Sequence, residues 1–307
     1  MALLAMASVL LSACNTVPTQ TTPSTSTLPS TTTSTTTTLP PVMVQPKRPP
    51  KIGLALGGGA ARGFAHVGVI QALEAAGIKV DLVTGTSAGS LVAAIYASGK
   101  TGAQLQTVAE GMEEASITDW TLPFFGRGML RGDALARYVN QQVNNKLMES
   151  MLIPLGIVAT DLHTGQGVLF RQGDTGMVVR ASSAVPSVFT PVKIGAAEYV
   201  DGGLVSPVPV RYARQMGADL IIAVDISSAP EGNAADNQLQ ILLQTFAIMG
   251  KSINSFELKD AELVVRPALV GVKSGDFTAK KRAIEAGRLA MQQAMPQLRA
   301  LIEAKTK

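Results

Sequence analysis

Twice in this chain an apolar, strand-like run ends in a glycine-flanked turn and gives way at once to a helix-like stretch. The first run is Ile52 to Leu56, followed by Gly57-Gly58-Gly59-Ala60-Ala61-Arg62-Gly63. The second is Val80 to Thr84, followed by Gly85-Thr86-Ser87-Ala88-Gly89 and then by Ser90-Leu91-Val92-Ala93-Ala94-Ile95-Tyr96. Such junctions belong to sheets of mainly parallel strands, where each crossover needs a helix to return the chain. Further strand-like runs fall at Ile153 to Ala159, Gly167 to Phe170, Glu198 to Val200, Leu220 to Asp225 and Leu263 to Val265. Helical spacing separates them, as at Leu239, Leu242, Leu243, Phe246, Met249 and Ile253. The last helix reads Ile284, Met291, Met295, Leu298 and Ile302, and Pro296 predicts a kink or restart within it. The expectation is one α/β domain over residues 51–307, a three-layer α/β/α arrangement with a mainly parallel central sheet. With 46% hydrophobic residues there is ample material for one core.

The second junction has the form Gly-x-Ser-x-Gly. It reads as a nucleophile elbow, a tight strand-to-helix turn that projects the Ser87 hydroxyl, with small flanking residues because the backbone is crowded there. The first offers backbone N–H groups at a helix start, suited to an oxyanion or a phosphate. Together they point to acyl transfer. The chain has only two histidines, His66 and His163, and neither follows Asp201, the best carboxylate candidate. A triad in the order Ser, Asp, His is thereby excluded, and a Ser87–Asp201 dyad is the economical reading. A carboxylate serves as general base when burial and neighbours bring its pKa toward the working pH. No His/Cys/Asp cluster has metal-ligand spacing, and no cofactor is implied.

The run from Lys51 to Ile70 resembles the opening of bacterial patatin-like phospholipases, and Gly85 to Gly89 matches their nucleophile motif. Asp201-Gly202-Gly203 is similar to their Asp-Gly-Gly/Ala motif. The resemblance covers residues from about 50 to 290, and its three ordered motifs make it specific. It implies the patatin-like fold, Ser87 as nucleophile, Asp201 as base, and an oxyanion loop over Gly57, Gly58, Gly59 and Ala60, with Arg62, Gly63, Gly85, Gly89, Gly202 and Gly203 supporting the motifs. The family's Gly-Gly-Gly-x-Arg-Gly aligns as Gly58-Gly59-Ala60-Ala61-Arg62-Gly63, so Ala60 stands where the third glycine is expected. The N–H donors survive that change provided residue 60 does not need positive φ. The implied activity is hydrolysis of phospholipid or lysophospholipid acyl esters. Acyl transfer between lipids, and an idle lipid- or partner-binding lipoprotein, remain alternatives.

Met1 to Leu11 is short, apolar and uncharged, and ends in Leu11-Ser12-Ala13-Cys14, which matches a bacterial lipobox. Residues 1–13 are accordingly expected to be a lipoprotein signal peptide and Cys14, the only cysteine, the lipidated residue. Residues 14–50 are rich in Thr, Ser and Pro, carry no charge before Lys47, and cannot bury a core. They read as a tether that spans on the order of 100 Å if stretched as polyproline II at ~3.1 Å per residue. By resemblance to Gram-negative lipoproteins, Asn15 implies sorting to the outer membrane, so the expected partners are a membrane surface and its lipids. The net charge of +4 is scattered and argues for no nucleic acid.

Asp119 to Gly126 holds the only Trp, Trp120, with Phe124 and Phe125. It reads either as a lid or membrane-contacting loop or as aromatic packing into the core. Arg62 reads as tying its loop down, with contact to a substrate phosphate as the alternative. Lys280-Lys281-Arg282 reads as a solvated helix face that could also meet anionic lipid, and His163 as a turn residue without catalytic duty.

Overall fold

The computed structural model describes residues 47–119, 127–230 and 236–307. Its strands are β1 (Ile52–Leu56), β2 (Leu82–Thr86), β3 (Gly128–Leu130), β4 (Leu155–Asp161), β5 (Gly167–Phe170), β6 (Ser187–Phe189), β7 (Val192–Ile194), β8 (Ala197–Asp201), β9 (Leu220–Val224) and β10 (Leu263–Val265). Its α-helices are α1 (Ala65–Ala75), α2 (Ala88–Ala97), α3 (Gly102–Gly111), α4 (Asp133–Gln142), α5 (Thr175–Ser182), α6 (Val210–Gln215), α7 (Gln238–Glu257) and α8 (Lys280–Lys305).

The main sheet has the order β10-β9-β1-β2-β4-β8-β7, with β5 also paired to β4. From β10 to β4 every pairing is parallel, and β5 and β8 run antiparallel to β4. Both faces are covered, as the unbroken apolar runs of the central strands require. Ile52, Leu54 and Leu56 of β1 and Leu220, Ile222 and Val224 of β9 pack with Val69, Leu73, Ile95, Ile284 and Met291 from α1, α2 and α8. The alternate residues Ala55, Ile221 and Ala223 pack with Val210 and Ala213 of α6 and with Leu258. The three-layer α/β/α arrangement follows directly from this alternation.

The register around β4 positions the site. Residues Ile157 and Val158 pair with Gly85 and Thr86 of β2 and, on the other edge, with Phe170 and Leu169 of β5. Ala159 and Thr160 pair with β5 and also with Asp201 and Val200 of β8. A strand has only two edges, so β2 and β8 share one edge of β4 and meet end to end between Val158 and Ala159. Ser87 follows the last residue of β2, and Asp201 is the last residue of β8.

The expected strands appear, with shifts. The run at Val80 becomes β2 two residues later, because Asp81 turns the chain: its N–H donates to Ile52 O and its carboxylate accepts from Ile52 N. The run at Ile153 likewise starts at Leu155. Helix α8 runs through Pro296 without a restart, which leaves a kink as the open half of the expectation. Pro296 and Gln292, whose carbonyl loses its helical partner, are both exposed, so water can take that carbonyl. Residues 1–46, including Cys14 and most of the tether, and Trp120 to Gly126 lie outside the described residues.

Candidate functional site

Ser87 sits between β2 and α2 at φ 52° and ψ −123°, a backbone conformation that side-chain-bearing residues rarely adopt. The turn is held from several sides. Ser87 N donates to Ser182 Oγ at 2.9 Å, and Ser182 Oγ donates onward to Val158 O at 2.6 Å. Ser90 Oγ donates to Ser87 O at 2.6 Å, and Thr86 Oγ1 to Ser206 O at 2.9 Å. The flanking glycines are required by contact. A Cβ on Gly85 would lie 2.6 Å from Gly89 O, and one on Gly89 would strike Leu56 O at the end of β1. Ser182 is a positioning residue that the sequence does not reveal; within Ala181-Ser182-Ser183-Ala184 nothing marks it from any serine ending a helix.

Asp201 Oδ2 accepts from Ser87 Oγ at 2.7 Å, and Oδ1 accepts from Gly203 N at 2.7 Å. Its backbone is fixed as well: Asp201 N donates to Ala184 O, and Thr160 Oγ1 donates to Asp201 O at 2.8 Å. Only 7% of Asp201 is exposed. Burial pushes its pKa up to about 6, against the opposing pull of the Gly203 N–H and the Ser87 hydroxyl. The structure thus joins two residues read from separate motifs into one hydrogen-bonded pair with a base poised near neutrality.

The four residues read as oxyanion donors divide in two. Gly57 N donates to Val224 O at 3.1 Å and Gly58 N to Pro207 O at 2.9 Å, so these N–H groups serve the fold. That narrows the expectation from four donors to two: Gly57 extends the β1–β9 pairing by one residue, and Gly58 is bonded to the segment that precedes α6. The N–H groups of Gly59 and Ala60 have no acceptor among the described residues. A Cβ on Gly58 would stand 3.1 Å from Ser87 Cβ, so this loop passes directly over the nucleophile. Ala60 does take positive φ, 49°, so the condition placed on that substitution is not met and the loop carries a strained alanine. Arg62 ties the loop down: Nη2 donates to Ser227 O at 2.9 Å and Nη1 to Ser228 Oγ. Gly63 packs against Ala88, where a Cβ would lie 2.9 Å from the alanine methyl. Gly202 lies against Val158 O, and Gly203 supplies the N–H to Asp201.

Ser87 and Ala60 open onto a cavity of about 270 Å³. Its walls are Leu91, Val92 and Ile95 of α2, Leu105, Val108 and Ala109 of α3, and side chains that include Met112, Leu135 and Phe277. The apolar lining suits an alkyl chain and leaves few groups to bind anything charged.

The two histidines part company. His163 is exposed in a turn, its N–H donating to Asp161 Oδ1 at 2.9 Å, and has no place in the site. His66 is fully buried behind the glycine loop, with Nε2 2.8 Å from Gly57 O. In the basic cluster, Lys280 Nζ donates to Glu110 O and Met112 O, and Arg282 to Gly271 O at 2.7 Å. Two of those three cations therefore hold α8 in place rather than face solvent freely.

A sequence model described as patatin-like phospholipase matches residues 54–214, a span that holds the glycine loop, Ser87 and Asp201. An uncharacterized NTE family protein of Mycobacterium tuberculosis is 32% identical over 207 residues, covering 67% of this chain and 57% of the relative. Human patatin-like phospholipase domain-containing protein 6 is 34% identical over 189 residues, covering 59% of this chain and 14% of the relative. The match therefore spans little more than half of the first and a small part of the second. Among solved structures, VipD from Legionella pneumophila superposes with a TM-score of 0.56 at 17% identity, covering 82% of this chain and 68% of that one, a likeness of fold. With the family model matched across the whole stretch that builds the site, the chain belongs to the patatin-like phospholipase family.

Proposed function

We propose that the protein is a serine hydrolase of lipid acyl esters, working through a Ser87–Asp201 dyad without a third catalytic residue. One observation carries the reading: the 2.7 Å bond from Ser87 Oγ to Asp201 Oδ2, made where Ser87 opens onto an apolar cavity. Membership of a phospholipase family supports lipid esters as the substrate class.

Ser87 Oγ attacks the ester carbonyl as its proton passes to Asp201. The carbonyl oxygen becomes an oxyanion, met by the free N–H groups of Gly59 and Ala60. As the tetrahedral intermediate collapses, the C–O bond to the alcohol breaks and Asp201 returns the proton to the departing oxygen. Water then attacks the acyl-enzyme, giving its proton to Asp201, and Ser87 Oγ takes that proton back on release of the fatty acid. The acyl chain occupies the cavity between α2 and α3. We further propose that Cys14 is lipidated after removal of residues 1–13, and that residues 14–50 tether the catalytic domain to an envelope membrane. The lipobox and the composition of residues 16–46 support this reading.

Ser87→Ala and Asp201→Asn should each lower kcat on a short-chain chromogenic ester by on the order of 10³-fold or more while the protein stays folded. Near wild-type turnover in either variant would remove the dyad. Because Asp201 must be ionised to accept a proton, kcat/KM should fall about tenfold per pH unit below about 6 and level off above it. The stability consequence has the opposite sense. A carboxyl raised from 3.8 to about 6 binds protons more tightly in the folded state, so its ionisation destabilises the fold above pH 6 and ceases to do so below 3.8. Asp201→Asn, whose Oδ1 can still accept from Gly203 N while Nδ2–H donates to Ser87 Oγ, should therefore melt higher than wild type at pH 8, with the gain fading toward pH 4.

Val108→Trp, which fills the cavity from α3, should shift preference toward short acyl chains by about tenfold or more in relative kcat/KM. An unchanged chain-length profile would place the acyl chain elsewhere. Cys14→Ser should abolish incorporation of a labelled fatty acid into the protein in cells and release it from the membrane fraction. Labelling that persists would refute lipidation at Cys14.

A further inference from the structure

Among the described residues, His66 is a buried titratable group beside the site that the mechanism above does not use. It lies in the first turn of α1, fully enclosed, and makes a single polar contact. Because Gly57 O can only accept, the 2.8 Å contact fixes the tautomer: Nε2 carries the hydrogen and donates it. Nδ1 is then a bare acceptor, buried and without a partner among the described residues. Burial holds the pKa at about 4, against the Gly57 carbonyl and Asp225, both of which favour the charged form, so the ring is neutral at working pH.

Its position is consequential. Gly57 O and Gly58 N belong to one peptide group. The oxygen is held by His66, and the N–H by Pro207 O at 2.9 Å. With both ends pinned, the plane of that peptide is set, and with it the direction in which the chain enters Gly58, Gly59 and Ala60 over Ser87. On the far side of the loop Arg62 performs the corresponding anchoring through Ser227 and Ser228. A residue wanted here only for packing would be apolar, since an orphaned buried acceptor such as Nδ1 destabilises the fold. The Nε2–H is what a histidine adds at this position.

We propose that His66 is a positioning residue of the oxyanion loop, donating Nε2–H to the Gly57 carbonyl so that the Gly59 and Ala60 N–H groups are held for the developing oxyanion. The inference rests on the hydrolase reading above. His66 does not act as a base: its one hydrogen-bonding nitrogen on the site side is committed to Gly57, while Ser87 Oγ is already bonded to Asp201.

The test compares His66→Gln with His66→Asn in the full chain. A glutamine amide nitrogen stands as many bonds from Cβ as Nε2 and can reach Gly57 O; an asparagine amide is one bond shorter and cannot. On a short-chain chromogenic ester, His66→Asn should lower kcat by about 10–100-fold with KM changed less than about threefold, the signature of support lost only in the transition state. His66→Gln should recover kcat to within about fivefold of wild type. A tetrahedral, anionic phosphonate inhibitor should lose affinity for His66→Asn in step with kcat/KM, while a neutral, non-hydrolysable ether analogue binds as before. Melting temperatures identify a merely structural role. If both variants lose stability and activity together, or if the phosphonate and the ether weaken equally, the positioning role is overturned. Unchanged kcat in folded His66→Asn overturns it as well. Ser87→Ala, run alongside, separates the two levels: activity that survives in that variant refutes the hydrolase reading itself, whatever His66 does.

Discussion

The meeting of β2 and β8 along one edge of β4 is the constraint on which the site depends. Val158 is the last residue of β4 to pair with β2, and Ala159 the first to pair with β8, so the two strands end against each other. That collision brings together side chains 114 positions apart without any loop having to deliver them. The bonds around the junction use the same short stretch of β4. Ser182 bridges Val158 O to the Ser87 N–H, Thr160 Oγ1 holds Asp201 O, and Gly202 sits against Val158 O because no larger residue fits. A Ser-His-Asp triad needs a carboxylate to orient its imidazole. Here the β4–β8 pairing and the bonds at Asp201 N and O orient the carboxylate directly.

The same geometry sets the electrostatics. Asp161, at the other end of the β4–β8 ladder, accepts the N–H groups of both His163 and Thr164 in an exposed turn, and its pKa is lowered. Asp201 is buried and accepts a single backbone N–H together with the serine hydroxyl, and its pKa rises to about 6. A carboxylate wrapped in several N–H donors is a poor base, because those bonds favour the charged form. The site therefore gives Asp201 few donors and little water. The fold pays for that with an ionised carboxylate in its interior, the kind of local cost that active sites carry.

Much of this was legible in the sequence, for identifiable reasons. The strands β1, β5 and β10 begin and end where the apolar runs do, and Ser87 and Asp201 lie in motifs whose glycines are demanded by close contact. What escaped has little local signal. Strands β3, β6 and β7 have three residues each and, unlike Leu263–Val265 of β10, no unbroken apolar run, since Gly128, Ser187 and Lys193 fall within them. Ser182 and His66 act through contacts with Val158, Ser87 and Gly57, which are long-range or set by the path of the loop. The oxyanion donors could be placed on the loop but not singled out, since whether Gly57 and Gly58 are free depends on Val224 and Pro207, about 150 or more residues away. The sequence left open whether Pro296 kinks its helix or restarts it, because a proline's effect depends on whether the orphaned carbonyl faces water, and that is a property of the packed helix.

Two non-glycine residues at positive φ, Ala60 and Ser87, line the cavity. Left-handed backbone costs a residue with a Cβ roughly 1–2 kcal/mol, and it persists only when surrounding bonds over-determine it. At Ser87 those bonds come from Ser182, Ser90 and the β2–β4 pairing. At Ala60 they come from both flanks. Upstream are the doubly pinned Gly57–Gly58 peptide and Gly59, wedged against Ile226; downstream are Ala61 N on Ser274 O and the Arg62 guanidinium on Ser227 and Ser228. A glycine at residue 60, as the family motif has, would relieve the strain and leave the chain freer to take up other conformations. The methyl of Ala60 works against this conformation, so it is the bonds on both flanks that hold the loop beside Ser87.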